Sequence, residues 1–456
     1  MTAEKLARRL GGELVLPGNA HFDSLRHVWN GMVNERPVAI ARCVSADDVA
    51  AALAFARHNR VPVTVRGGGH GVAGQAVRNG ALLVDLSPMR GVRVDASRRT
   101  AQVDAGATWG LVDAETQRHG LAVTGGIDSR TGVAGLTLGG GMGYLARSLG
   151  LTIDNVLALD AVLVDGRTVT VSESQHPDLF WAMRGGGGNF GVVTGFTYRL
   201  HPVGPELATA QVFYGMDQAA QVLQRYDELM VDAPDEITCY IAIVNVPSVE
   251  PFPVERHGRP ALALIGCYVG DVERGGEALA PLATFGDPFV AAFAPTRYCD
   301  LQQSFDAAAP DGGRYYWKAG YLDGLSSEAI ATLLDHLDSL PGPFSNVFLE
   351  SMGGAITRVD PAATAFPHRH VRFGFGISSG WADPSNDEAA IAWTRRLHDA
   401  MAPHCTGGVY ANYLDGDDDA RVTAAYRSNL DRLRQVKSTY DPDNVLRFNV
   451  NVPPAA

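Results

Sequence analysis

The first two hundred residues consist of short apolar runs broken by glycine-rich nodes, and the next two hundred of longer strand-like runs alternating with amphipathic helices. Ser45 and Asp48 have capping-box spacing, and Val49, Ala52, Leu53 and Ala56 then recur at helical spacing up to Asn59. The run Val61-Pro62-Val63-Thr64-Val65 predicts a strand that leads into Arg66-Gly67-Gly68-Gly69-His70-Gly71. A strand over Ala81–Leu86, a hairpin over Val92–Val103 and a helix over Thr108–His119 follow. Residues 125–143 form a second node with Gly125, Gly126, Gly132, Gly135, Gly139, Gly140, Gly141 and Gly143, too many glycines for a helix. A third node, Gly185–Gly188, lies between a helix over Pro177–Met183 and a strand over Phe190–Leu200.

After Pro202 and Pro205, strands are expected over Ile237–Val244, Ala261–Tyr268, Val347–Met352 and Arg372–Ser378. A helix over Ser326–Leu340 places Ile330, Leu333, Leu334 and Leu337 on one face, as expected of a helix that covers a sheet. Phe373, Phe375 and Ile377 alternate with Arg372, Gly374, Gly376 and Ser378, so one strand face is core and the other nearly empty. The chain is expected to be α+β: a domain over 1–205, a second with a largely antiparallel sheet over 206–408, and a segment over 409–456 that returns to the first.

Composition narrows the function. Of 456 residues, 46% are hydrophobic and 19% charged, as in an ordinary soluble protein, and the net charge of -12 argues against nucleic acid and anionic membranes as partners. Cys43, Cys239, Cys267, Cys299 and Cys405 are odd in number and never form a C-x-x-C pair, so neither a disulfide framework nor a metal site is expected. No signal-like or membrane-spanning window stands out, and a cytoplasmic location is expected.

The Gly-His loop carries the first chemical signal, because glycines allow a ligand to approach the main chain and consecutive N–H groups can then face a phosphate. Gly141-Met142-Gly143-Tyr144-Leu145-Ala146 also fits a dinucleotide fingerprint, with Asp160 or Asp165 as the ribose carboxylate. That fingerprint opens a βαβ unit with one glycine loop, whereas this chain spreads its nodes over more than a hundred residues. A large cofactor wrapped by several backbone loops suits the pattern better.

The blocks themselves carry a resemblance. Arg36-Pro37, Ile40-Ala41-Arg42-Cys43, Arg66 to His70, Gly135-Leu136-Thr137-Leu138-Gly139-Gly140-Gly141-Met142-Gly143 and Leu179 to Thr194 resemble FAD-linked oxidases of the berberine bridge enzyme type. Tyr316-Trp317-Lys318, Gly353-Gly354-Ala355, Ala365 to Arg369, Asn412-Tyr413 and Tyr440-Asp441-Pro442 with Asn444 agree in order and spacing. The resemblance implies a PCMH-type FAD-binding domain joined to a substrate domain whose antiparallel sheet is covered by helices.

It also implies roles for particular residues. His70 matches the histidine that bonds covalently to the flavin, and Asp128 stands where many members have a second, cysteine tether, so a single covalent bond is implied. The amides of Gly67, Gly68, Gly69 and Gly71 are the implied pyrophosphate cradle, with Arg66 and Gly74 beside it. Gly126, Thr131, Gly132, Gly135, Leu136, Gly139, Gly140, Gly141, Gly143, Tyr144 and Asn155 bracket the ring and the ADP portion. Val193 meets the adenine through its backbone, and Asn449 or Asn451 bonds the pyrimidine edge.

Tyr413 matches a tyrosine on the substrate side of the flavin. As a base it needs a positive neighbour, which Lys318 or Arg372 could supply, and Glu350 is the nearest acidic candidate. The expected activity is oxidation of a small-molecule alcohol or C–N carbon with O2 as acceptor. A dehydrogenase with another acceptor and an oxygenating or cyclising tailoring enzyme share the same motifs.

Overall fold

The computed structural model describes residues 1–337 and 339–455. A four-stranded sheet runs in the order Glu13–Val15, Ala39–Arg42, Leu82–Asp85, Val63–Arg66, the last three mutually parallel and the first antiparallel. The crossover between Ala39–Arg42 and Val63–Arg66 is the helix Ala46–Asn59, whose N-cap Ser45 accepts a bond from the Asp48 N–H. Val49, Ala52, Leu53 and Ala56 are its buried stripe. An antiparallel five-stranded sheet follows, in the order Val92–Asp95, Thr100–Asp104, Val192–Arg199, Val156–Val162, Thr168–Ser172.

The third large sheet has seven antiparallel strands in the order Val290–Arg297, Glu206–Gly215, Pro260–Tyr268, Ile237–Asn245, Asn346–Ser351, Phe373–Trp381, Arg314–Leu322. One face carries Ile241, Ile243, Leu349, Phe375 and Ile377 into a core shared with Ile330, Leu333 and Leu397. The covering helix is Ser327–Asp335, shorter than the expected Ser326–Leu340, which includes Asp338, outside the described residues.

The opposite face of this sheet turns toward the glycine nodes. Tyr144 and Leu145 from the second node pack there with Tyr240, Ala263 and Ile265. Residues 409–452 pack into the same core as the first two sheets, through Val409, Leu433, Val436 and Val452. No helix among the described residues is long and apolar enough to cross a membrane.

The second node overturns one expectation, because Val133–Gly139 within it is a helix. Glycine costs about 1 kcal/mol in a helix, but Val133, Ala134, Thr137 and Leu138 are buried, and that packing outweighs propensity over so short a segment. Gly139 serves close approach, since a Cβ there would collide with the Asn412 carboxamide.

Candidate active site

Arg66 ends its strand with its guanidinium 2.8 Å from the buried Asp85, and it also donates to the carbonyls of Leu25 (2.6 Å) and His27 (3.0 Å). Burial opposes ionisation of Asp85, and the Arg66 bonds outweigh it and hold the carboxyl below its ordinary range. Arg66 therefore anchors the loop with donors that are already taken. Beyond it a cavity of about 470 Å³ opens between Gly67, Gly68, His70, Trp29, Thr108 and the guanidinium-bearing Arg42, Arg90 and Arg130. Such a lining suits a phosphate-bearing ligand: bare backbone faces it, and cations stand at its rim.

His70 stacks on Trp29 with centroids 4.6 Å apart and planes within 15°. Its Nε2 has no hydrogen-bond partner and lies 3.6 Å from Asp128 Oδ2. Burial would raise the Asp128 pKa, but His70 and Arg130, 2.6 Å away, hold it well below the carboxylate range. The first and second nodes meet at backbone distance here, since a Cβ on Gly68 would stand 2.5 Å from the Gly132 Cα. Gly135, one turn further, has open space where its Cβ would be. Val193 sits on the strand Val192–Arg199, where the ladder shifts register before Gly195.

The third node and the chain end are clasped to each other. Asn189 donates to the carbonyls of Gly186 (2.8 Å) and Val450 (3.0 Å), and Lys437 donates to Asn189 O, Leu446 O and Asp441 within a fully buried site. Asn449 donates to the Gly188 and Leu446 carbonyls, yet Asn449 Oδ1 and Asn451 Oδ1 are buried without partners. These orphaned acceptors, the free His70 nitrogen and the glycine floor are the features that a flavin dinucleotide needs. The residues present fit it: Gly67 to Gly71 would hold its phosphates and Asn449 or Asn451 its ring edge.

Two expected cofactor residues lie elsewhere. The Tyr144 ring packs edge-on against Tyr240 at 5.4 Å within an apolar cluster, because the buried sheet face outcompetes the groove for so large a side chain. Asn155 donates to the Leu149 and Leu151 carbonyls and pairs with His201 at 2.7 Å, which occupies its carboxamide as a loop brace.

On the facing sheet, Tyr413 donates to Glu350 Oε1 at 2.8 Å. Glu350 is central in the sheet and 4% exposed, and its Oε2 has no partner. Burial pushes its pKa up to about 7, with the Tyr413 bond opposing. Tyr413 is itself raised well above the ordinary phenol range, by burial and then by the Glu350 charge.

The expected positive neighbours are absent from this pair. Trp317 packs against Tyr413 at 5.6 Å, so strand alternation turns Lys318 to the other face, where Asp417 (2.5 Å) and Asp418 (2.7 Å) hold it. Arg372 precedes the strand Phe373–Trp381 and pairs with Asp227 at 3.1 Å. Nor is the glycine face of that strand empty, because the Phe348 ring lies over Gly376 and Glu350 Oε2 stands 3.0 Å from where a Gly374 Cβ would be.

Trp29, Trp317, Phe348 and Lys437 were not assigned roles from the sequence. Their one legible signal was alternation within Tyr316-Trp317-Lys318, since Trp317 and Lys318 cannot share a face. Trp29 stacks on His70 and contacts Trp317 at 5.8 Å, and Trp317 contacts Tyr413, so an aromatic path joins the histidine loop to the Tyr413–Glu350 pair. Asn412 closes the same space by donating to Leu136 O (3.2 Å) and Tyr410 (2.9 Å).

Comparison with known proteins agrees with this geometry. Residues 37–172 match the FAD binding domain family and residues 409–453 the family described as berberine and berberine like. An uncharacterized FAD-linked oxidoreductase of Bacillus subtilis is 31% identical, covering 98% of each chain. A xylooligosaccharide oxidase of Thermothelomyces thermophilus is 26% identical over 94% of this chain and 89% of its own. The crystal structure of 6-hydroxy-D-nicotine oxidase from Arthrobacter nicotinovorans superposes with a TM-score of 0.89 at 26% identity, covering 100% of both chains. With family matches at both ends of the chain and identity that extends over nearly its full length, the chain belongs to the FAD-linked oxidoreductases of the berberine bridge enzyme-like family.

Proposed function

We propose that this FAD-linked oxidoreductase is an oxidase that removes a hydride from an alcohol or C–N carbon of a small molecule, with O2 as final acceptor, and that His70 carries the cofactor covalently. When bound, FAD supplies the hydride acceptor and passes the electrons to O2 as hydrogen peroxide. The observation that carries the reading is the Tyr413–Glu350 bond of 2.8 Å on a sheet face turned toward the glycine nodes.

Tyr413 is held neutral at working pH, so it acts as a relay rather than as a phenolate. A substrate O–H or N–H proton moves to the Tyr413 oxygen as the Tyr413 proton moves to Glu350, whose pKa near 7 suits a group that must accept and release protons. Trp317 and Phe348, each packed edge-on against the phenol, fix its direction. Attachment through His70 is supported by the free Nε2 beside Asp128. His70 Nε2 would be the atom that holds the cofactor, and Asp128 beside it would orient the imidazole ring.

Anaerobic mixing with sugars, hydroxylated aromatics and cyclic amines, followed by admission of air, tests this function. Bleaching of the flavin by a substrate and rapid recovery with stoichiometric peroxide are expected. Recovery only with a quinone would identify a dehydrogenase, and oxygen incorporated into product a tailoring oxygenase.

A further inference from the structure

We infer that the sheet face around Tyr413 and Glu350 is built for an organic cation, so that the substrate is an amine bound in its protonated form. The inference rests on the reading above that this sheet face is the substrate side. The ladder places three rows of side chains on that face: Tyr240, Glu350, Gly374 and Tyr321; then Ala242, Phe348, Gly376 and Ala319; then Val244, Asn346, Ser378 and Trp317. Glu350 alone among them can carry a charge at neutral pH.

Among the described residues, no cation pairs with that carboxylate. Lys318 is turned to Asp417 and Asp418, and Arg372 to Asp227. The buried Arg147 guanidinium faces the carbonyls of Ala233, Ile237 and Met352. The titratable groups around Glu350 are Tyr413, Tyr240, Tyr410 and Tyr321, all phenols that burial keeps neutral. Glu350 Oε2, 4% exposed as a residue and without a partner, extends over Gly374. An unpaired buried carboxylate is costly, and a ligand cation supplies the missing partner.

The side chains beside this pair are aromatic. Trp317 and Phe348 each stand 5.6 Å from the Tyr413 ring at 73° and 80°, and all three are only half-buried. Ring faces attract an ammonium through their quadrupole, while an anion is repelled by Glu350. The same pairing starts the chemistry: the ammonium N–H bond breaks, its electron pair stays on nitrogen, and the proton moves to the Glu350 carboxylate.

Benzyltrimethylammonium is a suitable probe because its charge is fixed at every pH and it has no N–H to lose. Titrated anaerobically into the holoenzyme and followed by flavin absorbance, it is expected to bind at least tenfold more tightly than its neutral isostere neopentylbenzene or cellobiose. Its affinity should rise about tenfold from pH 5 to pH 9 as Glu350 ionises, since neither the probe nor the surrounding phenols titrate there. Glu350→Gln should remove both the preference and the pH dependence. Should that variant not fold, the wild-type pH series still decides. Equal binding of the neutral probes, or a pH-independent affinity for the cation, overturns the inference. Failure of every amine and alcohol to bleach the flavin overturns the oxidase reading instead, because the probe experiment requires no turnover.

Discussion

Tyr413 and Glu350 share one proton-bearing contact of 2.8 Å, in which the phenol donates and the carboxylate accepts. The sign of their pH dependence follows from their environments. Glu350 titrates near 7, so the accepting carboxylate is present above that pH and lost below it. The rate of anaerobic flavin reduction should therefore rise with pH to a plateau above about 7. Tyr413→Phe should lower the plateau on the order of a hundredfold, the usual scale for a positioned acid or base, and move the profile's midpoint upward, because the bond that opposes the burial shift of Glu350 is lost. Glu350→Gln should flatten the profile. Stopped-flow absorbance at 450 nm, roughly the flavin maximum, reads both. A Tyr413→Phe enzyme with full reduction rate would leave the tyrosine a packing residue.

His70 presents a buried, unpartnered nitrogen and lines the cavity beside Gly67 and Gly68. Acid precipitation of the holoenzyme should leave flavin on the polypeptide, and intact-mass spectrometry should show one added FAD. His70→Ala should release the flavin into the supernatant. Asp128 lies 3.6 Å from His70 Nε2, the atom proposed to carry the cofactor. Asp128→Cys is expected to form a second attachment and raise the flavin potential, measured by dye equilibration.

Asp113 provides a stability test away from the chemistry. It is buried between the helices Trp109–Gln117 and Tyr298–Gln303, accepts from Gln302 at 3.1 Å, and has one oxygen without a partner. Burial raises its pKa to about 7, against an ordinary value near 4 in the unfolded chain. The folded state thus binds the proton more tightly, and this contribution to stability is present below about pH 4 and lost as pH rises through 7. Asp113→Asn keeps the acceptor for Gln302 and cannot ionise. Its melting temperature should exceed that of the wild type at pH 8.5 by a margin worth a few kcal/mol, roughly what a shift of this size implies, and the margin should shrink toward pH 5. Parallel Tm curves for the two proteins across that range would count against it.

Lys437 holds the chain end in place through Asp441, Asn189 O and Leu446 O, all in a site closed to solvent. Lys437→Met leaves the Asp441 carboxylate buried and uncompensated, at a cost of about 3–5 kcal/mol. Since Asn449 and Asn451 hang from the same segment, flavin occupancy should fall together with Tm, in one series of thermal scans followed by flavin fluorescence. Loss of Tm with flavin binding unchanged would separate the clasp from the cofactor.

Local chemistry was legible in the sequence wherever it is dictated by nearest neighbours. The Ser45 cap, the stripe Val49, Ala52, Leu53 and Ala56, and the strand before Arg66 follow from spacing alone, and the structure contains them. The resemblance in Arg66 to His70 and in Asn412-Tyr413 identified the family and its cofactor, because backbone cradles require glycine at fixed positions. Alternation in Arg372–Ser378 also assigned Phe373, Phe375 and Ile377 to a core face.

Partnership across the fold was decided only in three dimensions. Nothing near Lys318 in sequence reveals Asp417 and Asp418, which lie roughly a hundred residues away and turn the lysine from Tyr413. Glu350 is a buried acid rather than a surface charge because its strand is central in the sheet and Tyr413, from a distant segment, closes over its side chain. The helix Val133–Gly139 exists against its glycine content because packing outweighs propensity when four side chains are buried at once. Sequence determines which groups are available and which local shapes they prefer, whereas the tertiary structure sets the distances and burial that decide their charge and reactivity.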